Sequence, residues 1–173
     1  MKKLCNQNDL GGSDMKNNRL IAAIVSLFMV FSTGSALAND KASVQAFYDF
    51  LSNPASQKHA AAFMANTSDT WESIGDYSGK SKNREGFAAQ IGGFGKLIPD
   101  LNWAVEEMLT DGNRFVVRSR ATGTPVGPMF GVDGQGRGFD ILAIDIHTVE
   151  VGKIVRSYHV EDWATALRQL SGK

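Results

Sequence analysis

Asp162 could act as a base, and His147 could polarise a carbonyl. Asp145 and His147 lie two apart in a long apolar-rich run, and Asp162 stands directly before a short amphipathic segment. Removing a proton next to a carbonyl needs a base near the carbon and a hydrogen-bond donor near the oxygen. A carboxylate walled by apolar groups is a stronger base than one in water, because burial disfavours its charge. Tyr158 and Trp163, on either side of Asp162, could supply such a wall. In an extended run side chains alternate between faces, so Asp145 and His147 are neighbours on one side of a strand. Alternation marks the face without saying whether it is the concave one or the outer one.

Asp162 has a second reading. An Asp immediately before an amphipathic helix is a preferred N-cap, its carboxylate accepting backbone N–H bonds. Catalysis is compatible with that role only if one oxygen stays free. Strict alternation along residues 154–162 places Ile154, Arg156, Tyr158, Val160 and Asp162 on one face and His159 on the other. That split argues against His147, His159 and Asp162 as a two-histidine, one-carboxylate iron site, so no metal is expected. Arg118 and Arg120 share a face. They either sit in solvent or orient an anionic or carbonyl substrate. The run GVDGQGRG at 131–138 does not open a helix and lacks the Lys-Ser/Thr of a phosphate loop. The Ser, His and Asp residues come without a nucleophile-elbow pattern.

The elements that must position these groups can be read from periodicity. Val44, Phe47, Tyr48 and Leu51 fall on one helical face, ended by Asn53-Pro54. Residues 59–64 read as a second short helix and 84–98 as a third. Residues 66–83 are rich in Ser, Gly and Asp and read as a loop that carries Trp71 and Tyr77. Strands are expected at 101–110, 114–124, 139–151 and 154–161, with turns at Asp111-Gly112-Asn113 and Gly152-Lys153. Trp163, Ala166, Leu167 and Leu170 then repeat at helical spacing. Helices first and strands later predict an α+β domain. Its antiparallel meander of four strands curls around the helices and leaves a cavity between them.

The first 38 residues differ from the rest. From Met15, a short basic start (Lys16, Arg19) leads into an apolar run at 20–31 and then Ala36-Leu37-Ala38. This is the pattern of a secretory signal peptide, with Met15 as the expected true start and cleavage expected after Ala38. The apolar run is too short to span a bilayer, so no stable membrane anchor is expected after processing. A single domain at 39–173 would remain. The 18 basic and 18 acidic residues would fall to 14 and 16 on loss of Lys2, Lys3, Lys16, Arg19, Asp9 and Asp14. This balance gives no reason to expect nucleic acid as a partner. The only cysteine, Cys5, would go with the leader, leaving no disulfide and no thiol nucleophile.

Several ordered features carry a resemblance. They are Pro99-Asp100, Asp111-Gly112, Arg118, Gly123-Thr124-Pro125-Val126-Gly127, Gly136-Arg137, His147, Gly152-Lys153-Ile154, Asp162 and Gln169-Leu170. As a set they resemble the SnoaL-like polyketide cyclase (ester cyclase) family. The resemblance implies a cone-shaped α+β barrel shared with nuclear transport factor 2 and ketosteroid isomerase. It implies acid/base catalysis of the aldol cyclase, isomerase or dehydratase type, without metal or cofactor. Asp162 matches the family's acid/base aspartate, and His147 looks like its assisting pocket histidine. Arg118, Tyr158, Asp145, Trp71 and Trp163 are the candidate substrate-binding residues. The family's frequent His after Gly-Thr is Pro125 here. A homodimer is expected from the resemblance, and a periplasmic or secreted location from the leader. A non-catalytic small-ligand binder and a dimeric interaction module are the alternatives.

Overall fold

The computed structural model describes residues 32–173, and Ala36–Lys173 form one compact unit. The expected start at Met15 and the apolar run to Phe31 lie outside the described residues. No helix among the described residues is long and apolar enough to cross a membrane.

Helix α1 (Ser32–Ser52) presents the seam read from its sequence: Val44, Phe47, Tyr48 and Leu51 are all buried. Helix α2 (Gln57–Asn66) opens on Ser56, whose hydroxyl accepts from the His59 amide, and buries Phe63. Helix α3 (Arg84–Leu97) opens on Asn83, which accepts from the Gly86 amide at 2.9 Å, and buries Phe87 and Ile91. Each large apolar side chain removed from water in this way contributes about 1.5–3 kcal/mol. Helix α4 (Trp163–Ser171) closes the chain and ends on Gly172 in the left-handed conformation.

The sheet has five strands, β1 (Thr67–Ile74), β2 (Asn102–Asp111), β3 (Arg114–Gly123), β4 (Phe139–Glu150) and β5 (Lys153–Glu161), in the order β1-β5-β4-β3-β2. Strands β2, β3, β4 and β5 form the expected antiparallel meander. The inner face of β3 carries Phe115, Val117, Ser119 and Ala121, and that of β4 carries Ala143, Asp145, His147 and Val149.

Three expectations need correction. Residues 67–74 are not loop but strand β1 (Thr67–Ile74), which pairs in parallel with β5 at the sheet edge. Trp71, Thr67 and Ser73 face inward while Asp69, Thr70 and Glu72 do not, so half of an edge strand is polar and its composition imitates a loop. The sheet is therefore mixed and five-stranded rather than purely antiparallel. The β4–β5 turn is also displaced by one residue. It is built on Val151 and Gly152, both at positive φ (49° and 74°), the two-residue turn whose twist suits a hairpin.

The third correction concerns faces. Thr148 pairs with Arg156 but Val149 pairs with Ile154, so Val155 is an extra residue, a β-bulge. Past it the alternation inverts. Ser157 and His159 face inward, whereas Arg156, Tyr158 and Val160 face outward.

Candidate functional site

A cavity of about 90 Å³ lies between the concave face of the sheet and helices α1 and α3. Phe47 from α1, Phe87 and Phe94 from α3, Trp103 from β2 and Trp163 from α4 wall it. Asp145, His159 and Glu161 bring the polar groups from β4 and β5, and Lys82 reaches it from the segment before α3.

Phe130 stands at the same cavity, with its ring centroid 5.8 Å from that of Trp163 and 6.4 Å from that of Phe94. It is nevertheless 58% exposed. Met129 and Val132 exchange two backbone hydrogen bonds of 2.9 Å around Phe130 and Gly131, whose φ angles are 48° and 82°. An aromatic residue pays for that conformation in backbone strain. In return it sits over the aromatic cluster.

Asp145 is only 4% exposed. Its Oδ2 accepts a 2.8 Å hydrogen bond from the Tyr48 hydroxyl. Burial raises its pKa to about 7; the Tyr48 bond pulls the other way, and the Glu161 charge adds to the rise. Tyr48 is itself pushed well above its ordinary value by burial and by Asp145. Its oxygen also lies 2.9 Å from His147 Nε2. His147 is fully buried behind the cavity wall, and burial lowers its pKa to about 3, so it is neutral. Its Nδ1 is 2.7 Å from Ser157 Oγ, which accepts from Trp71 Nε1 at 3.0 Å.

A second string of contacts runs along β5. His159 Nδ1 bonds Glu161 Oε1 at 2.7 Å and its Nε2 meets Ser73 Oγ at 3.0 Å. Burial disfavours the imidazolium, but the Glu161 bond and the charges of Glu161 and Asp145 outweigh it and raise the His159 pKa. The other oxygen of Glu161 accepts from Trp163 Nε1 at 3.1 Å. Gly75 leaves room for this ring, since a Cβ there would lie 3.0 Å from His159 Cε1. His159 and Glu161 thus have their polar atoms engaged. Among the described residues, Oδ1 of Asp145 is the carboxylate oxygen at the cavity with no hydrogen-bond partner.

The candidates from sequence divide accordingly. Asp145 and Trp163 line the cavity. His147 shares the inner face with Asp145 and reaches it through Tyr48. Asp162 does not enter the hollow. It is exposed and caps α4, Oδ1 accepting from the Thr165 amide at 2.9 Å and Oδ2 from the Thr165 hydroxyl at 2.6 Å. Those bonds hold its pKa below the usual carboxylate value. The expectation of a buried Asp162 with a free oxygen is corrected on this point. Arg118 is on the outer face, paired with Glu107 at 3.3 Å, because inner positions of β3 fall on odd numbers. Tyr158 is also outside, turned there by the bulge, where it borders an outer groove with Ile144, Ile146 and Val160. Trp71 is buried in the core and acts through Ser157 rather than at the cavity.

Sequence reasoning missed Tyr48, Ser157, His159 and Glu161. Tyr48 had a visible signal, a phenol within an otherwise apolar helical stripe. The β5 residues had none, since nothing in the sequence announces a bulge at Val155. No group of three or more His, Cys, Asp or Glu side chains arranged to hold a metal occurs among the described residues.

The fold and pocket can now be set beside known proteins. The family model for SnoaL-like polyketide cyclase matches residues 42–170. The chain belongs to that family. Its members' architecture, helices on a curved sheet in the nuclear transport factor 2-like manner, is the one found here. A SnoaL-like polyketide cyclase from Agrobacterium tumefaciens str. C58 is 22% identical and superposes with a TM-score of 0.62, covering 76% of this chain and 97% of that one. A candidate SnoaL-like polyketide cyclase from Jannaschia sp. CCS1 is 20% identical, with a TM-score of 0.67 over 79% of this chain and 94% of that one. A protein of ketosteroid isomerase-like fold from Catenulispora acidiphila DSM 44928, 13% identical, superposes at 0.59 over 75% and 92% of the two chains. At these identities the likeness is one of fold. No curated protein matches the chain.

Proposed function

We propose that this SnoaL-like domain moves a proton next to the carbonyl of a small compound, with Asp145 as the acid/base and no metal or cofactor. One observation carries the reading: a buried carboxylate holds one oxygen free toward an aromatic-walled cavity, with a pKa of about 7. A general base is most effective when its pKa lies near the working pH. Of the pair beside it, Glu161 raises the proton affinity of Asp145 and His159 lowers it, so the two charges oppose each other and burial dominates. The cavity favours a small compound. At about 90 Å³ it is well below the ~300 Å³ at which drug-sized ligands begin to fit, and a multi-ring polyketide would have to displace the Phe130 turn.

The test is hydrogen–deuterium exchange next to the carbonyl across a panel of small ketones, aldehydes and keto esters. Wild type is compared with Asp145→Asn and Asp162→Asn. Loss of exchange in the first variant alone supports the reading. Exchange that survives Asp145→Asn, or is lost only with Asp162→Asn, defeats it. Binding of panel members without exchange, seen as a change in tryptophan fluorescence, would favour the second reading, a non-catalytic ligand carrier with the same aromatic walls.

Export and pairing belong to the same proposal. The pattern from Met15 to Ala38 supports a periplasmic or secreted protein, and N-terminal sequencing of the exported form should begin at Asn39. A homodimer would use the outer sheet face, where Leu142, Ile144 and Val160 are exposed. Light scattering of wild type and Ile144→Lys tests it, with a monomeric wild type ruling it out.

A further inference from the structure

We propose that Trp71, Ser157, His147 and Tyr48 form a one-way hydrogen-bond relay that ends on Oδ2 of Asp145 and leaves Oδ1 as the one oxygen at which that carboxyl gains or loses its proton. This rests on the reading of Asp145 as the proton-exchanging group and adds positioning residues to it.

The direction follows from the donors available. An indole N–H only donates, so Ser157 Oγ accepts from Trp71 Nε1 across 3.0 Å. The Ser157 hydroxyl hydrogen then goes to its remaining neighbour, His147 Nδ1, at 2.7 Å. A neutral imidazole carries one N–H, so His147 holds it on Nε2 and gives it to the Tyr48 oxygen, 2.9 Å away. Tyr48 has a single hydrogen and points it at Asp145 Oδ2, 2.8 Å away. Each member spends its only donor toward Asp145.

The arrangement resists reversal. A proton on His147 Nδ1 would point at Ser157 Oγ, which already receives the indole hydrogen, and would strand the serine hydrogen in the core. Leaving such a donor unsatisfied is costly. His147 is therefore a positioning residue held in one tautomer, and full burial opposes its ionisation as well. The relay is the same whether Asp145 is charged or neutral. With Oδ2 occupied by the phenol, an added proton goes to Oδ1, the oxygen without a partner among the described residues. One atom facing the cavity thus serves as base when bare and as acid when protonated.

The groups facing Asp145 from its neighbouring elements are Tyr48 on α1, His147 on β4 and His159 and Glu161 on β5, with Lys82 also at the cavity. Inner β3 offers only Val117 and Ser119 nearby, neither of which titrates.

Two NMR measurements test the relay, and neither needs a substrate. On the wild-type protein, 15N shifts of His147 should show Nε2 protonated and Nδ1 bare across pH 5 to 8. An Nδ1–H tautomer, or titration in that range, overturns the relay. The second measurement follows the Asp145 side-chain 13C signal against pH. Tyr48→Phe removes the terminal donor and should raise the midpoint by about one unit. His147→Leu should raise it as well. His147→Gln keeps a donor toward Tyr48 and should restore most of the wild-type midpoint. If all three variants titrate as wild type does, these residues only fill space and the relay is wrong. If the relay holds while Asp145→Asn leaves exchange on the carbonyl panel intact, the relay stands and the proposed function falls.

Discussion

Asp145 and Asp162 are the same chemical group at opposite extremes. One is buried on β4, shares a single oxygen with a phenol, and is pushed up to about 7 mainly by desolvation. The other lies in water at the start of α4, gives both oxygens to Thr165, and is held below the ordinary value by those bonds. Family resemblance assigned the chemistry to the second, and the geometry favours the first. The difference teaches that a matching position in a motif identifies a helix start reliably, and a reactive group only when the local hydrogen bonds leave it free.

The largest expected break in this comparison is kinetic. Asp145→Asn should lower any carbonyl-adjacent exchange by about 100-fold or more, while Asp162→Asn leaves it within error, as read by deuterium incorporation.

Next in size is the pH dependence of stability. The folded pKa of Asp145 is raised from 3.8 to about 7, so its protonated form is the one the fold favours. Stability is lost as the pH rises from about 4 to about 7, by on the order of 4 kcal/mol in total. His147 is lowered from 6.5 to about 3, so its contribution is lost as the pH falls across that window. The two slopes oppose each other between about pH 4 and 6.5. His159, raised by its partners, adds a loss as the pH rises past its folded value. Denaturant melts at several pH values should show a flat stretch in wild type. In Asp145→Asn the His147 slope is unmasked, about 1.4 kcal/mol per pH unit, with stability climbing toward neutrality.

Ser157→Ala should come third. It strands the Trp71 indole N–H and His147 Nδ1 together in the core, at about 1–3 kcal/mol for each group left unsatisfied. Equilibrium urea unfolding would show it, and a fall no larger than that of a surface serine would break the account of the inner string. The smallest effect belongs to Asp162→Ala. Loss of a cap on one short helix should lower the melting temperature slightly at pH 7. Because the folded pKa is depressed, the difference should vanish as the pH falls through it.

Much of the fold was legible. The seam of α1, the cap of α4 and the alternation of β4 each follow from local pattern, and the last placed Asp145 and His147 on one face. Strand β1 was hidden because only Thr67, Trp71 and Ser73 turn inward, and the polar remainder reads as loop. The β5 part of the site was less legible for a geometric reason. Val155 adds one residue to β5, so Arg156, Tyr158 and Val160 share a face opposite His159 as expected, but that face is the outer one and lies opposite Ile154. Tyr158 was drawn in and His159 left out by the same count. Tyr48 was assigned to packing because its neighbours on the helix are apolar, although its hydroxyl bonds the buried Asp145 carboxylate.

The parallel pairing of β1 with β5 has a consequence for how the protein is made. The Trp71–Ser157 and Ser73–His159 bonds each join residues 86 positions apart, and pairings this distant in sequence form slowly. A nascent chain that stops short of β5 already contains Asp145 and His147. It lacks the strand that shields them, so its carboxylate stays hydrated with an ordinary proton affinity. The raised proton affinity of Asp145 is expected only when the last strand has joined the first.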